Sequence, residues 1–592
     1  MTYQGAAGGA KDGGAKHQRR ARGLTELTAL FAALLRRCLA PLLLLLALTL
    51  LWGPLLLMAV QIVERLAHKP ALLAHALPLD PVRATLFKNT VQLGILTTIG
   101  ALVLGVPCAV ALVRGGRITR LVVALGCALP LALPPIVPAS LAVPLTFAPG
   151  RDSPLYPPVL LAAPVLAASF YPLVAFALAA ALRALPAEAE DAARLCGGDL
   201  SVWRGVLFPL LRPALSGAAG LVFAFSLWEM GAPDLLNLPT YAVQIYRDWN
   251  GGVLTEDATL AALDAFPLAV LGAVALWFAL RALRFYEKLR ASDAAHRHPG
   301  ARRAAQGARS GVVTALSALA WLVVAVSPGV IIVWLAHVAG GLRGASAAWN
   351  EVTQFAGEEL FTTLQWAPLG ALLALAWAFC LVAPRRLGQL VPRKRGLTLA
   401  GWWRWGLLLP MLCPPVTLGL AMATFWNFPL TASQPNAPAY ALQDTVGYAL
   451  GSGGMTLVGY VTRFLPAAAW LLGEATARVP RENLEAAQSL GADEGFAART
   501  ILLPLLLPAL AGAGAVLGAL CVGELTVTVL VAQAGGQPLT IPLFNFMHAG
   551  EADLVAALSL ALFAAGALLM AGFALLFAAC EAVRHRLARR SY

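Results

Sequence analysis

An all-α polytopic membrane protein, with about twelve transmembrane helices arranged as two parallel six-helix repeats, is the fold this 592-residue chain predicts. Three observations predict it: composition, the recurrence of long apolar runs, and the likeness of one half to the other. The chain is 59% hydrophobic and 12% charged, with a mean hydropathy of +0.74, outside the range of ordinary soluble domains. An apolar run of roughly 20 residues covers a hydrocarbon core of about 30 Å. With no water there to pair backbone groups, each such run must be helical.

The runs place spans at approximately residues 38 to 61, 89 to 113, 121 to 146, 157 to 182, 213 to 235, 258 to 280, 313 to 337, 360 to 384, 405 to 427, 446 to 474, 509 to 533 and 554 to 581. The third span of each half carries a proline-rich stretch, "ALPLALPPIVPAS" and "LLLPMLCPPVTLGLA". Proline breaks helices inside a membrane where neighbours satisfy the freed backbone groups, so these are either static kinks or flexing points. Residues 1–37 form a basic cytoplasmic tail with a possible interfacial helix, 38–283 a first repeat, 284–312 a charged cytoplasmic linker, and 313–592 a second repeat.

Cytoplasmic loops collect Lys and Arg. With the amino terminus inside, most of the 43 basic residues fall on cytoplasmic segments, and an odd number of spans would scatter them to both sides. Both termini are therefore expected in the cytoplasm. The net charge of +13 reads as topology and contact with anionic membrane lipid, not as a nucleic-acid surface. Eight cysteines fall in spans or cytoplasmic loops with no Cys-x-x-Cys pair, so neither a disulfide framework nor a metal centre is expected. His296 and His298 flank the cation Arg297 without a further ligand, which argues against a metal there too. Trp402, Trp403 and Trp405 suit an aromatic belt at a membrane surface.

Residues 170 to 199, "FYPLVAFALAAALRALPAEAEDAARLCGGD", align without a gap on residues 464 to 493, "FLPAAAWLLGEATARVPRENLEAAQSLGAD", at an offset of 294. Ala192, Ala193, Gly197 and Asp199 face Ala486, Ala487, Gly491 and Asp493, with Asp191 opposite Glu485. Beyond this block the offset becomes 295 and pairs Pro209 with Pro504 and Glu229 with Glu524. The polar loop (about 185–212 and 478–508) follows the fourth span each time and lands on the same side, so the halves are parallel, unlike inverted-repeat transporters. Each loop reads as two short helices: small alanines permit close approach, Gly197 or Gly491 permits the turn, and Pro209 or Pro504 sits in the first turn of the next span, where a missing N–H costs least. A pseudo-twofold pair of such loops suits a symmetric, two-headed partner.

The segment "EAAQSLGADEGFAARTILLPLLLP" resembles the EAA loop of permease subunits in binding-protein-dependent ABC importers. The second copy matches that pattern at Glu485, Ala486, Ala487, Gly491, Ile501, Leu503 and Pro504; the first departs from it, with Asp191 for Glu, Gly198 for Ala, and one residue fewer before Phe208 and Pro209. "KNTVQLGILTTIGALVLGVPCAVALVRG" and "GELTVTVLVAQAGGQPLTIPLF" are similar to other segments of the fused two-domain branch, which handles ferric iron, thiamine or aminophosphonates. The resemblance implies a type I importer permease fold in a bacterial inner membrane, two copies of a cytoplasmic ABC ATPase docked on the loops, and a periplasmic solute-binding protein delivering substrate. ATP and Mg would be used by the ATPase. This chain has no lysine preceded by glycine, hence no P-loop, and it is expected to be neither an enzyme nor the holder of a cofactor. An ion-gradient-driven secondary transporter is the alternative, which leaves the two matched loops unexplained.

Ionisable residues inside spans are costly, and so are functional candidates. Glu229 and Glu524 occupy equivalent positions after the loops and are expected either to face the pathway or to make interhelical hydrogen bonds. Arg463 is too far along its helix from Glu474 to pair with it directly, so it either pairs with another span or snorkels. Asp264, opposite Ser559, is open between a helix-start position and a pathway role.

Overall fold

The computed structural model describes residues 42–146, 156–183, 185, 201–251, 257–293, 311–338, 340–388, 406–407, 409–426, 438–477, 479, 481–492, 494–533 and 535–590. Among these the chain is helical, without strands. Its main helices are α1 (Leu42–His68), α2 (Pro81–Arg114), α3 (Arg117–Ala128), α4 (Pro158–Leu182), α5 (Phe208–Trp228), α6 (Tyr241–Gly251) and α7 (Asp257–Asp293) in the first half. The second half holds α8 (Gly311–Val338), α9 (Gly341–Gly388), α10 (Pro415–Trp426), α11 (Pro438–Ala477), α12 (Arg481–Ser489), α13 (Leu503–Val522), α14 (Thr540–Ala549) and α15 (Ala552–Arg590). Helix α9 is kinked at Ala356, whose φ of −149° and ψ of 27° are not helical. Helix α7 continues to Asp293, into the segment the sequence suggests is linker.

Among the described residues, ten helices are long and apolar enough to cross a membrane, against twelve continuous spans expected. The other two are the third span of each half, and both run in pieces. In the first, α3 stops at Ala128, a 3-10 turn covers Leu129–Ala132, and short helices follow at Ile136–Ser140 and Val143–Thr146. In the second, the chain makes a 3-10 turn at Leu409–Leu412 before α10 begins at Pro415. The cause is the proline spacing: a proline lacks the N–H that continues the ladder and pushes the preceding residue out of the α region. Leu133, just before Pro134, is accordingly extended, with φ −102° and ψ 127°.

The halves interlock through their first helices. Helix α1 leaves its own repeat and packs on the second: Trp52 Nε1 donates to the carbonyl of Gly406 at 2.7 Å, and Trp377 Nε1 donates back to the carbonyl of Leu43 at 3.0 Å. Helix α8 does the converse, with Trp321 Nε1 donating to Thr119 Oγ1 at 3.4 Å and Ser327 Oγ donating to the carbonyl of Ala168 at 3.5 Å. The buried clusters follow the same exchange. Ala47 and Leu51 of α1 join the cluster holding Tyr460 and Leu465, while Val313, Ala320 and Val324 of α8 join the one holding Tyr171 and Val174.

Lipid tails are as apolar as these side chains, so packing rather than water exclusion must hold the helices together, and small residues mark the contacts. Gly220 of α5 faces the α7 backbone so closely that a Cβ there would lie 2.3 Å from the carbonyl oxygen of Ala275. Gly514 of α13 meets the ring of Phe573 on α15 just as closely. The N-terminal end of α2 is fixed by charge. Asp80 caps it by accepting the N–H of Arg83 at 2.8 Å, and the Arg83 side chain bridges Asp80 at 2.8 Å and the fully buried Asp264 of α7 at 2.9 Å. Asp264 is thus the anchor of a helix-to-helix tie, not a pathway residue.

Candidate functional site

The second repeated loop forms a compact projection. Helix α12 is nine residues long and two-faced. Leu484 and Ala487, three apart, are buried against Val479, Ala497, Leu502 and Leu506, while Glu485 and Ala486 are exposed. Only one of the paired alanines therefore serves close packing; the other presents a smooth outer surface. The helix ends at Gly491 in the left-handed region, φ +83°, where only glycine pays no steric cost. The turn is closed by the N–H of Ala492 on the carbonyl of Ala487 at 3.0 Å. Leu490 at the tip is 89% exposed and Phe496 beyond it 59%, an apolar pair flanking the exposed face. Asp191, Ala192, Ala193, Gly197 and Asp199 of the first loop, and Asp493 of the second, lie outside the described residues.

A feature that sequence reading missed joins both loops to the bundle. Val202–Leu207 and Ala498–Leu502 are π-helical, and each runs directly into the next span, α5 or α13. Pro209 and Pro504 stand in the first turn of those spans. A proline clashes with the carbonyl four residues before it, and widening the preceding turn to a π segment moves that carbonyl aside. Such segments concentrate at functional positions.

At the far ends of α5 and α13 the chain breaks again, at Glu229 and Glu524. Glu229 is extended, φ −77° and ψ 126°, and its Oε1 accepts the N–H of Gly231 at 3.1 Å. Glu524 Oε1 accepts the N–H of Val527 at 2.8 Å, and its Oε2 lies 2.6 Å from Nε of Arg463 on α11. Arg463 therefore pairs with another span, and its guanidinium also lies over the Phe464 ring, 5.5 Å from the centroid. Glu229, Arg463 and Glu524 line one cavity of about 70 Å³, together with Phe170, Phe464 and Trp228. Its floor includes Pro130, Pro134 and Pro135 from the broken third span, so the proline stretch helps shape the cavity rather than simply bending a helix.

Past the breaks, the two halves meet across a polar contact on the face opposite the repeated loops. Asp234 accepts from Arg247 Nη2 at 2.7 Å, and its other oxygen lies 3.1 Å from His548 Nε2, 314 residues away. His548 Nδ1 is 2.9 Å from the carbonyl of Phe544, and the Phe544 ring stacks edge-on to Tyr246 at 5.7 Å. Both ring nitrogens of His548 face acceptors, so the doubly protonated imidazolium fits best. Its hydrogen bond to Asp234 raises the His548 pKa despite partial burial. Desolvation works to raise that of Asp234, but hydrogen bonds from His548 and Arg247 outweigh it and hold the carboxyl below its usual range. Among the described residues no cluster of three or more metal-ligating side chains occurs.

Repeats that exchange their first helices, a compact repeated loop and a cavity lined from both repeats describe a duplicated, multi-pass helical membrane protein, and a known protein it is similar to is a permease of an iron transport system. The chain is 25% identical over 490 residues to the Fe(3+)-transport system permease protein FbpB 2 of Haemophilus influenzae, an alignment covering 81% of this chain and 87% of that protein. No family model matches the chain, and no solved structure matches it.

Proposed function

We propose that this chain forms the substrate pathway of an ATP-driven importer in a bacterial inner membrane, with both termini cytoplasmic. Two copies of a cytoplasmic ATPase dock on the repeated loops, and a periplasmic binding protein delivers the substrate. The observation that carries the reading is helix α12, which is held to the bundle by its buried Leu484 and Ala487 while Glu485, Ala486 and Leu490 are left facing solvent. The exposed Leu490 and Phe496 give that surface an apolar pair on which a partner can pack. In the first loop Asp191 and its neighbours take the equivalent role, with a shorter acidic reach. Closing of the ATPase pair on ATP pulls the loops together, and the π segments pass that motion to α5 and α13, at whose far ends Glu229 and Glu524 meet the pathway.

Ferric iron is the substrate best supported, by the name of the relative and by two carboxylates in the cavity wall; another small solute fits the same architecture. Reconstitution tests this. Proteoliposomes holding the chain, the ATPase and the binding protein should accumulate ferric iron only with ATP and Mg, and should be insensitive to uncouplers. Uptake driven by an ion gradient without the ATPase would instead establish a secondary transporter.

A further inference from the structure

At three pairs of repeat-equivalent positions the cavity wall is matched at two and differs in charge at the third. Phe170 and Phe464 are counterparts, as are Glu229 and Glu524, and all four line it. The residue before each phenylalanine is also in the wall, but it is Ser169 in one repeat and Arg463 in the other. Ser169 spends its hydroxyl on the carbonyl of Val165 at 3.0 Å and adds no charge. The walls therefore carry two carboxylates and one guanidinium, with Arg463 bound to Glu524 while Glu229 takes backbone N–H groups instead of a cation.

We propose that Arg463 is a tethered counter-ion, which neutralises Glu524 while the cavity is empty and competes with the incoming substrate for that carboxylate. The competitor is a compact, hard, multivalent cation. The carboxylate oxygens are the only anionic ligands in the wall, and the lining residues include no His, Cys or Met, which excludes the soft donor sets. About 70 Å³ accommodates an ion with several waters and not a large chelate. Trp228 Nε1, in the same wall, is buried without an acceptor among the described residues, leaving a donor free for an oxygen carried in with the ion. Two ionised carboxylates sharing a low-dielectric site are stabilised by a positive charge beside them. Arg cannot lose its proton to relieve competition, so it releases Glu524 by moving, and the guanidinium has the Phe464 face beside it. Arg463 thus sets the threshold: a cation must bind the carboxylates better than an arginine does, which selects high charge density. This rests on the permease reading above.

The test uses the full chain in lipid nanodiscs with Tb³⁺ as the probe, read by emission sensitised through Trp228. Removing the competitor with Arg463→Gln should tighten apparent Tb³⁺ binding about tenfold or more, and Arg463→Lys should stay near wild type. Glu524→Gln alone strands a buried Arg463 and risks misfolding, so Arg463→Gln/Glu524→Gln carries that arm. It should lose the gain, as should Arg463→Gln/Glu229→Gln. Trp228→Phe should abolish the sensitised signal. Unchanged or weaker Tb³⁺ binding by Arg463→Gln, or a gain that survives in either double variant, overturns the proposal. ATP-driven iron uptake by the wild-type complex is scored separately. Its absence alongside the expected Tb³⁺ pattern counts against the permease reading alone, and its presence with a flat Tb³⁺ series counts against the counter-ion alone.

Discussion

Arg83 and Asp264 show what a single charge does in this setting. Asp264 is fully buried and lies 2.9 Å from Arg83 Nε. Truncating one member of a buried pair strands the other, at a cost of about 3 to 5 kcal/mol. Arg83→Ala should therefore lower thermal stability in detergent substantially, while Arg83→Met/Asp264→Leu, which removes both charges, should recover most of the loss; equal destabilisation by the two variants would mean the pair is not what holds α2 to α7. His548 offers a pH test. Its pKa is raised in the fold by Asp234, so the contact contributes fully below the unfolded value of about 6.5 and is lost as pH rises through the raised folded value. The stability advantage of wild type over His548→Asn should be present in mild acid and fade in mild alkali. Neither pair was legible in the sequence: their members stand 181 and 314 residues apart, and no local period links them. Glu229 and Glu524 were legible because the repeat set them side by side, but the partner of Glu524 was not.

Among elements, the repeated loop was the most legible, since a turn glycine and a proline at fixed spacing carry their backbone requirements openly. Gly491 does adopt the left-handed conformation. Gly491→Val should destabilise the loop by about 1 to 3 kcal/mol through that strain alone, measurable as faster local amide exchange across α12 with the transmembrane helices unchanged. The π segments were invisible, because a π turn differs from an α turn by one residue and leaves apolar spacing almost intact. That difference is testable. Deleting Thr500 removes one residue from Ala498–Leu502 and turns α12 by about 100° relative to α13. ATP-driven uptake should fall at least about tenfold, while α13 keeps its place, because a docking surface aimed wrongly cannot transmit force. Uptake at the wild-type rate would show that the π turn is not needed for coupling. The broken third spans were half legible: the prolines announced a break, but hydropathy alone counted each as one continuous helix.

For the whole molecule, the duplicated architecture follows from composition and internal repetition, but the exchange of first helices does not. Apolar periodicity says that α1 and α8 have faces to bury, not which half receives them. The exchange makes the two halves mutually dependent. Residues 1–297 and 298–592 expressed as separate chains should form a stable complex when produced together, and either alone should be degraded, since its first helix lacks the surface it packs on. A first half that is stable and monodisperse alone would show that the exchange carries little of the packing energy.

The central claim is that two matched loops on one chain receive two ATPase subunits. Native mass measurement of the complex purified from its own membrane, without cross-linker, tests it most directly. The account predicts one 61.9 kDa chain with two copies of an ATPase, reduced to one copy or none by Glu485→Arg in α12. Recovery of the chain without any ATPase, from membranes in which it supports uptake, would contradict it.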